Sequence, residues 1–208
     1  MKIICIGNNY KDHNKELQSF GFENKLPSEP TVFSKPDTAL LVNNKPFYYP
    51  EFSQNIHYET ELVIKIDKIG KYIQKEFAST YYSEIAVGID FTARDLQQIH
   101  RAESKPWLLS KGFDNAAPIS KFLPINTLKN SDEIDFSLKL NDEIVQRGNS
   151  KNMIFNFDEL IVYISRFITL RIGDIIFTGT PAGVGPVKIG DKLTAYIEDM
   201  EVMKFDVR

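Results

Sequence analysis

The chain has 208 residues, with 25 Lys and Arg against 28 Asp and Glu, for a formal net charge of −3. Its 42% hydrophobic and 25% charged residues are ordinary for a folded chain and argue against disorder, and its length suits one domain over residues 1–208. The slightly acidic balance lacks the basic stripe that nucleic acid requires, and no apolar run approaches the roughly 18 residues of a membrane helix, so neither partner is expected.

In chain order, Ile3 to Ile6 reads as a strand ended by Gly7 and an Asn8-Asn9 turn. The run is too short for a signal peptide, and Cys5, the single cysteine, allows neither an internal disulfide nor a Cys-rich zinc site. A reducing, cytoplasmic setting is the simplest expectation, with Cys5 a small buried strand residue. Asp12 to Phe20 is polar and suits a short helix, and Phe22 to Pro30, with Pro27 and Pro30, reads as loop. This helix and its loop are the part expected to move.

Ile56 to Ile66 alternates as one strand, with Leu62, Ile64 and Ile66 on one face and Glu59, Glu61, Val63 and Lys65 on the other. Ala86 to Ile89 is a short apolar run closed by Asp90, and a helix is expected over Leu96 to Glu103. Phe136 to Val145 reads as a hairpin turning at Asn141-Asp142. Asn156 with Glu159 forms a capping box for a helix through Phe167, with an apolar stripe of Leu160, Ile161, Ile164, Phe167 and Ile168. Asp174 to Phe177 is then a strand, and Leu193 to Val207 supplies one or two more. Strands outnumber helices without alternating with them, which predicts an α+β fold, mostly β, on a mixed or antiparallel sheet core.

Glu59 and Glu61 leave one strand face with Cα atoms about 7 Å apart, and two converging carboxylates repel unless something positive separates them. A hard divalent cation would answer that need, and so would a solvated face with Lys65 as partial counter-ion. Asp90 strengthens the cation reading, because a carboxylate at the end of a buried strand needs a partner. Thr92 or Asp95 could simply cap a helix, and Arg94 could be either a salt-bridge residue or an anion clamp. His13 and Glu16, three apart, share a helix face and suit either a general-base pair or an exposed ion pair. His57 has no better case, and His100, in a polar run, is expected to face solvent. The stretch Thr178 to Pro186 lacks the order of a phosphate or dinucleotide loop, yet it could present backbone N–H groups and Thr180 to a small anion, or be a tight turn.

Taken in order, Gly7-Asn8-Asn9-Tyr10-Lys11-Asp12-His13 with Glu16, Phe33-Ser34-Lys35-Pro36, His57-Tyr58-Glu59-Thr60-Glu61-Leu62 and Asp90-Phe91-Thr92-Ala93-Arg94-Asp95-Leu96-Gln97 resemble the fumarylacetoacetate hydrolase superfamily. Lys105-Pro106-Trp107 with Lys111, Met153-Ile154-Phe155, and Gly173 to Pro181 running into Gly183-Val184-Gly185-Pro186 extend the resemblance to nearly the whole chain. Within the superfamily it is similar to the short acylpyruvase branch, which includes oxaloacetate decarboxylases. The chain begins at the dyad strand, so the extra N-terminal domain of longer members is expected to be absent.

The resemblance implies a mixed β-sandwich or roll with few short helices. It also implies a divalent cation, magnesium in the first place with manganese or calcium as alternatives, on Glu59, Glu61 and Asp90. A His13–Glu16 dyad would sit on a segment that orders over substrate, Lys111 would stabilise enolate charge, and Arg94, Gln97 and Thr180 would hold a small 2-oxo acid. Homodimers are the usual assembly. The leading expectation is hydrolysis of a 3-acylpyruvate between C3 and C4, with His13 taking a proton from water, and with decarboxylation of oxaloacetate as a further activity. Oxaloacetate tautomerisation or a muconate-type isomerisation is the alternative, since all these reactions pass through a stabilised enolate. A binding module without activity is disfavoured because His13, Glu16 and Lys111 are all present. Two departures stand out. Thr60 replaces an expected apolar residue, its side chain directed to the opposite face, and Gly112-Phe113-Asp114-Asn115 replaces a run of small residues near the pocket.

Overall fold

The structure, a computed structural model, describes residues 1–19 and 26–208. The first third contains β1 (Ile3–Gly7), α1 (Lys11–Ser19), β2 (Thr31–Lys35), β3 (Leu40–Leu41), β4 (Ile56–Tyr58) and β5 (Thr60–Ile66). Next come α2 (Lys75–Ala78), β6 (Tyr82–Ile89), β7 (Thr92–Ala93), α3 (Arg94–Ala102), α4 (Leu108–Lys111), β8 (Ala117–Pro118) and β9 (Leu123–Pro124). The last third holds β10 (Asp135–Leu140), β11 (Glu143–Asn149), α5 (Phe157–Phe167), β12 (Ile175–Phe177), β13 (Gly185–Pro186), β14 (Lys192–Ile197) and β15 (Met200–Asp206). The fold is mostly β with a few short helices, as the sequence pattern predicts.

The main sheet has the order β2-β1-β12-β5-β6-β9. It is mixed: β1 runs parallel to β12 and antiparallel to β2. Ile3, Ile4, Cys5 and Ile6 are buried on both faces, which is why β1 reads as an unbroken apolar run instead of alternating. A second sheet, β11-β10-β14-β15, is two antiparallel hairpins joined through β10 and β14, and the first hairpin turn has Asn141 and Asp142 at φ 51° and 71°. Both values are positive, the geometry that two-residue hairpins favour and Asn and Asp tolerate. This sheet packs on β5 and β6; Phe47 stacks on Phe91 at 4.1 Å between ring centres, and Phe205 meets Phe91 edge-on at 6.3 Å. The α5 cap is as predicted: the Asn156 side chain accepts from Glu159 N–H at 3.0 Å, and the Glu159 carboxylate accepts from Asn156 N–H at 3.0 Å.

Three expectations change. The predicted single strand over Ile56 to Ile66 is two strands in different sheets, β4 beside β7 and β13, and β5 beside β12 and β6, with the break at Glu59. Period-2 alternation survives such a crossing because the backbone stays extended, so the pattern cannot reveal it. The helix expected from Leu96 starts at Arg94; its N-cap is Ala93, without a side-chain cap. Neither Thr92 nor Asp95 is its N-cap; Asp95, in the first turn, accepts from Leu96 N–H at 2.9 Å, Ser53 Oγ at 2.7 Å and Gln54 N–H at 2.9 Å. His100 is buried, because α3 turns Arg94, Gln97 and His100 inward and leaves Ile99 exposed. The loop expected over Phe22 to Pro30 lies partly outside the described residues, and 26–30 form no helix or strand. Among the described residues, no helix is long and apolar enough to cross a membrane.

Candidate active site

The antiparallel pairing of β5 with β6 sets Thr60 against Ile89 and Glu61 against Gly88, so Glu59 and Asp90 meet where the pair ends. Asp90 N–H donates to the Glu59 carbonyl at 2.8 Å. Gly88 has to be glycine: a Cβ there would lie 2.4 Å from the Phe177 ring. Glu59, Glu61 and Asp90 are 5%, 1% and 1% exposed, which excludes the solvated-face alternative, and each offers a carboxylate oxygen within 4.8 Å of the others. Three buried acids this close require compensation.

The chain supplies part of it. Lys111, at the end of α4, donates to Glu59 Oε2 at 2.7 Å and to Asp90 Oδ2 at 2.6 Å. Arg94 Nη2 donates to Glu59 Oε1 at 2.5 Å, and its Nη1 to Gln97 Oε1 at 2.5 Å. Lys35, the last residue of β2, places Nζ 2.7 Å from Asp90 Oδ1 and also donates to the carbonyls of Phe91 and Lys111. Glu61 is met by the Gly179 N–H, which donates to Oε2 at 2.6 Å.

The charges follow. Burial opposes ionisation of Glu59, but Lys111 and then Arg94 overcome it and hold the carboxyl well below its ordinary range. Burial and then the like charge of Asp90 push Glu61 up, the Gly179 N–H only partly restraining it. Burial also works against the Lys111 ammonium, yet Asp90 and Glu59 raise it overall. An added cation would relieve the opposition that the Glu61 charge meets from burial and from Asp90. An all-oxygen, buried, converging donor set fits a hard divalent ion, and a two-carboxylate core with a third acid beside it suits magnesium or manganese.

The dyad faces this cluster. His13, 4% exposed on α1, lies with Nδ1 3.0 Å from Glu16 Oε2, and Glu16 Oε1 accepts from the Gly183 N–H at 2.9 Å. An exposed ion pair would leave His13 in solvent, so that alternative is excluded. His13, Glu59, Glu61, Asp90, Arg94 and Lys111 line one cavity of about 30 Å³, which Gln97, Thr180, Phe33 and Trp107 complete. The Gly-Pro stretch after β12 does present N–H groups to carboxylates, but to the protein's own: Gly179 to Glu61 and Gly183 to Glu16. The Thr180 hydroxyl donates to the Thr60 carbonyl at 2.9 Å and accepts from Gln146 Nε2 at 2.9 Å, which leaves one lone pair for a ligand. Phe113 in the departing run packs on Phe52 and under Lys35, outside the lining of the cavity. His57 is buried with its pKa pulled down to about 4 by burial and then by Arg94, so it stays neutral at physiological pH.

Sequence reasoning gave no role to Lys35, Asn9 or Gln146. Asn9 donates to the carbonyls of Phe155 and Thr178 at 3.0 and 2.8 Å and accepts from Phe155 N–H at 2.8 Å, tying the β1 turn to the site. Lys35, inside a family-like segment, carried a signal of position; Gln146, in an ordinary hairpin strand, carried none.

The family pattern described as "Fumarylacetoacetate (FAA) hydrolase C-terminal" matches residues 2–208. The mitochondrial oxaloacetate tautomerase FAHD1 of Arabidopsis thaliana is 41% identical over 206 residues, covering 99% of this chain and 90% of the relative. The mitochondrial oxaloacetate decarboxylase of Dictyostelium discoideum is 42% identical over 208 residues, covering 99% and 93%. Among solved structures, the fumarylpyruvate hydrolase of Pseudomonas aeruginosa in complex with Mn2+ and pyruvate superposes with a TM-score of 0.91 at 35% identity, covering 100% of this chain and 89% of that one.

Proposed function

The chain belongs to the fumarylacetoacetate hydrolase family, and from that premise we propose that it acts on oxaloacetate, moving a proton between C3 and the C2 oxygen with a divalent cation in the Glu59–Glu61–Asp90 cluster. The observation that carries this is that His13 of the dyad and the three acids of the cluster line one pocket. The relatives favour this tautomerase reading over the acylpyruvate hydrolysis that leads the sequence reading.

A bound cation would supply Lewis acidity toward the 2-oxo group. The chain's own groups do the rest. Glu16 Oε2 accepts the Nδ1 proton of His13, which leaves Nε2 as the proton acceptor. His13 takes a proton from C3, the C–H electron pair becomes the C2–C3 double bond while the C2–O π pair moves onto oxygen, and His13 returns the proton to that oxygen. Lys111, Arg94 and Gln97 line the cavity with N–H donors for substrate oxygens, and Phe33 and Trp107, 5.6 Å apart, wall off water. His13 and α1 form part of the wall of this pocket, beside the groups that would meet the substrate.

The second reading, hydrolysis of a 3-acylpyruvate, is supported by the same dyad acting on water and by the fumarylpyruvate hydrolase neighbour. The experiment strips the protein with a chelator and restores Mn2+ or Mg2+. It then follows the ultraviolet absorbance of enol oxaloacetate beside pyruvate release from oxaloacetate and from acetylpyruvate. Metal-dependent relaxation of the enol without pyruvate is the expected result. Pyruvate from acetylpyruvate alone would replace the tautomerase reading with the hydrolase one.

A further inference from the structure

Gln146 belongs to β11, in the second sheet, and is its one fully buried side chain at 1% exposed. Its amide reaches out of that sheet and makes three bonds. Oε1 accepts from Thr60 N–H at 2.9 Å, and Nε2 donates to Thr180 Oγ1 at 2.9 Å and to the Pro181 carbonyl at 2.9 Å. Thr180 Oγ1 in turn donates to the Thr60 carbonyl, so Gln146, Thr60 and Thr180 close a ring of hydrogen bonds.

Each end of that ring adjoins chemistry. Thr60 separates Glu59 from Glu61, at the point where the chain passes from one sheet to another. Thr180 and Pro181 lie in the turn whose Gly179 N–H holds Glu61 and whose Gly183 N–H holds Glu16. The turn is pressed onto β11 as well: Gly183 has φ +101°, and a Cβ on it would lie 2.4 Å from the Val145 carbonyl oxygen and 3.2 Å from Gln146 Cγ. The two carboxylates of separate halves of the site therefore take their orientation from one turn. Thr178 and Thr180 bind that turn to the Glu-bearing strand, and the Gln146 amide from the other sheet ties the two together a further time.

We infer that Gln146 is a positioning residue that couples the acid cluster to the His13–Glu16 dyad, so that cation binding and proton transfer depend on it together. An amide suits this role because it offers two donors and an acceptor in one plane, and the buried groups it serves have no solvent to fall back on. The inference rests on the reading of Glu59, Glu61 and Asp90 as a cation site.

The test compares the wild type with Gln146→Glu and Gln146→Leu. Glu keeps the volume and the acceptor for Thr60 but replaces both donors; Leu removes all three bonds. Ser150→Ala serves as control, since Ser150 Oγ accepts from Ile134 N–H at 2.8 Å at the far end of β11 and touches neither half of the site. Mn2+ affinity is read by calorimetry, kcat and KM for oxaloacetate by enol absorbance, and folding by thermal melting. Gln146→Glu is expected to weaken Mn2+ binding at least about tenfold and lower kcat at least about tenfold, with KM changing less. Ser150→Ala is expected to lower the melting temperature while leaving Mn2+ affinity and kcat as in the wild type. A Gln146→Glu protein that melts early but keeps both quantities, or loses one without the other, overturns the coupling. Should Gln146→Leu fail to fold, the Gln146→Glu result decides alone. A wild type that binds no Mn2+ overturns the cation-site reading itself, and is told apart by that single titration.

Discussion

At the scale of single residues, Lys111 is both support and competitor. Its ammonium bridges Glu59 and Asp90, two of the three carboxylates that would hold a divalent ion. Removing it as Lys111→Met leaves a buried negative excess, which should make the protein less stable without metal but bind Mn2+ at least about tenfold more tightly, even as turnover falls. Calorimetry beside the enol assay checks this; unchanged or weaker Mn2+ affinity would show that Lys111 does not contend for those carboxylates. His13→Ala should reduce turnover about 10²–10⁴-fold with Mn2+ affinity retained, because the ring reaches the cluster only through the cavity. Thr60 offers a prediction of the opposite sign. Its hydroxyl is buried with no hydrogen-bond partner among the described residues, so Thr60→Val should stabilise the fold by about 1 kcal/mol in urea denaturation, since an unmet polar group is exchanged for a methyl of the same shape.

At the scale of elements, the strands β1 and β12 are fastened at their starts by one carboxylate. Asp174 accepts from Lys2 N–H at 2.7 Å and Arg171 N–H at 2.8 Å, and pairs with the Lys2 ammonium at 2.5 Å. Burial opposes its charge, but the bonds from Lys2 and Arg171 prevail and hold its carboxyl below the ordinary value. A depressed carboxyl pKa stabilises above the unfolded value near 4 and loses that contribution as pH falls through the folded one. Asp174→Asn should therefore cost about 1–3 kcal/mol at neutral pH, and its deficit relative to the wild type should shrink below about pH 4. Urea melts of both proteins between neutral and acid pH measure this, and a deficit independent of pH would assign the effect to geometry and not to charge.

The elements also differ in how they can be read. The α5 capping box and the Asn141-Asp142 hairpin are local: the residues that make each bond lie within three positions of one another, so the signal is in the string itself. The division of Ile56–Ile66 at Glu59 is not local, because it depends on which strands lie alongside. Nor is the inward polar face of α3. Arg94, Gln97 and His100 read as a solvated helix face until the cluster of acids is placed opposite them.

At the scale of the whole molecule, the site is where three sheets and three short helices, α1, α3 and α4, meet. Asp90 and Glu59 come from the ends of main-sheet strands, Lys35 from its edge, Lys111 from α4, Arg94 from α3 and Gln146 from the second sheet. A cation that binds only this assembled arrangement must stabilise it. Thermal melting after chelation should rise on adding Mn2+, with a gain of about 2.7 kcal/mol at a hundredfold excess over Kd. Melting that is indifferent to Mn2+ and Mg2+ would argue that the acids are satisfied by Lys111, Lys35 and Arg94 alone.

The sequence by itself determined the strand-rich class, the short-range caps and turns, and the candidate acids, bases and cations, because periodicity, turn chemistry and residue type are local properties. It also carried the order of short segments that resembles the family. Only the tertiary structure decided that Glu59, Glu61 and Asp90 are buried together, that Lys111 and Arg94 already bind them, and that the Gly179 and Gly183 N–H groups serve the protein's own carboxylates. It alone brought in Gln146, 86 residues from Thr60 and 34 from Thr180. The reason is physical: whether a charge is solvated or paired depends on what the fold stacks against it, and in this molecule those neighbours arrive from α3, α4 and the edge of the main sheet, far along the chain from the acids they meet.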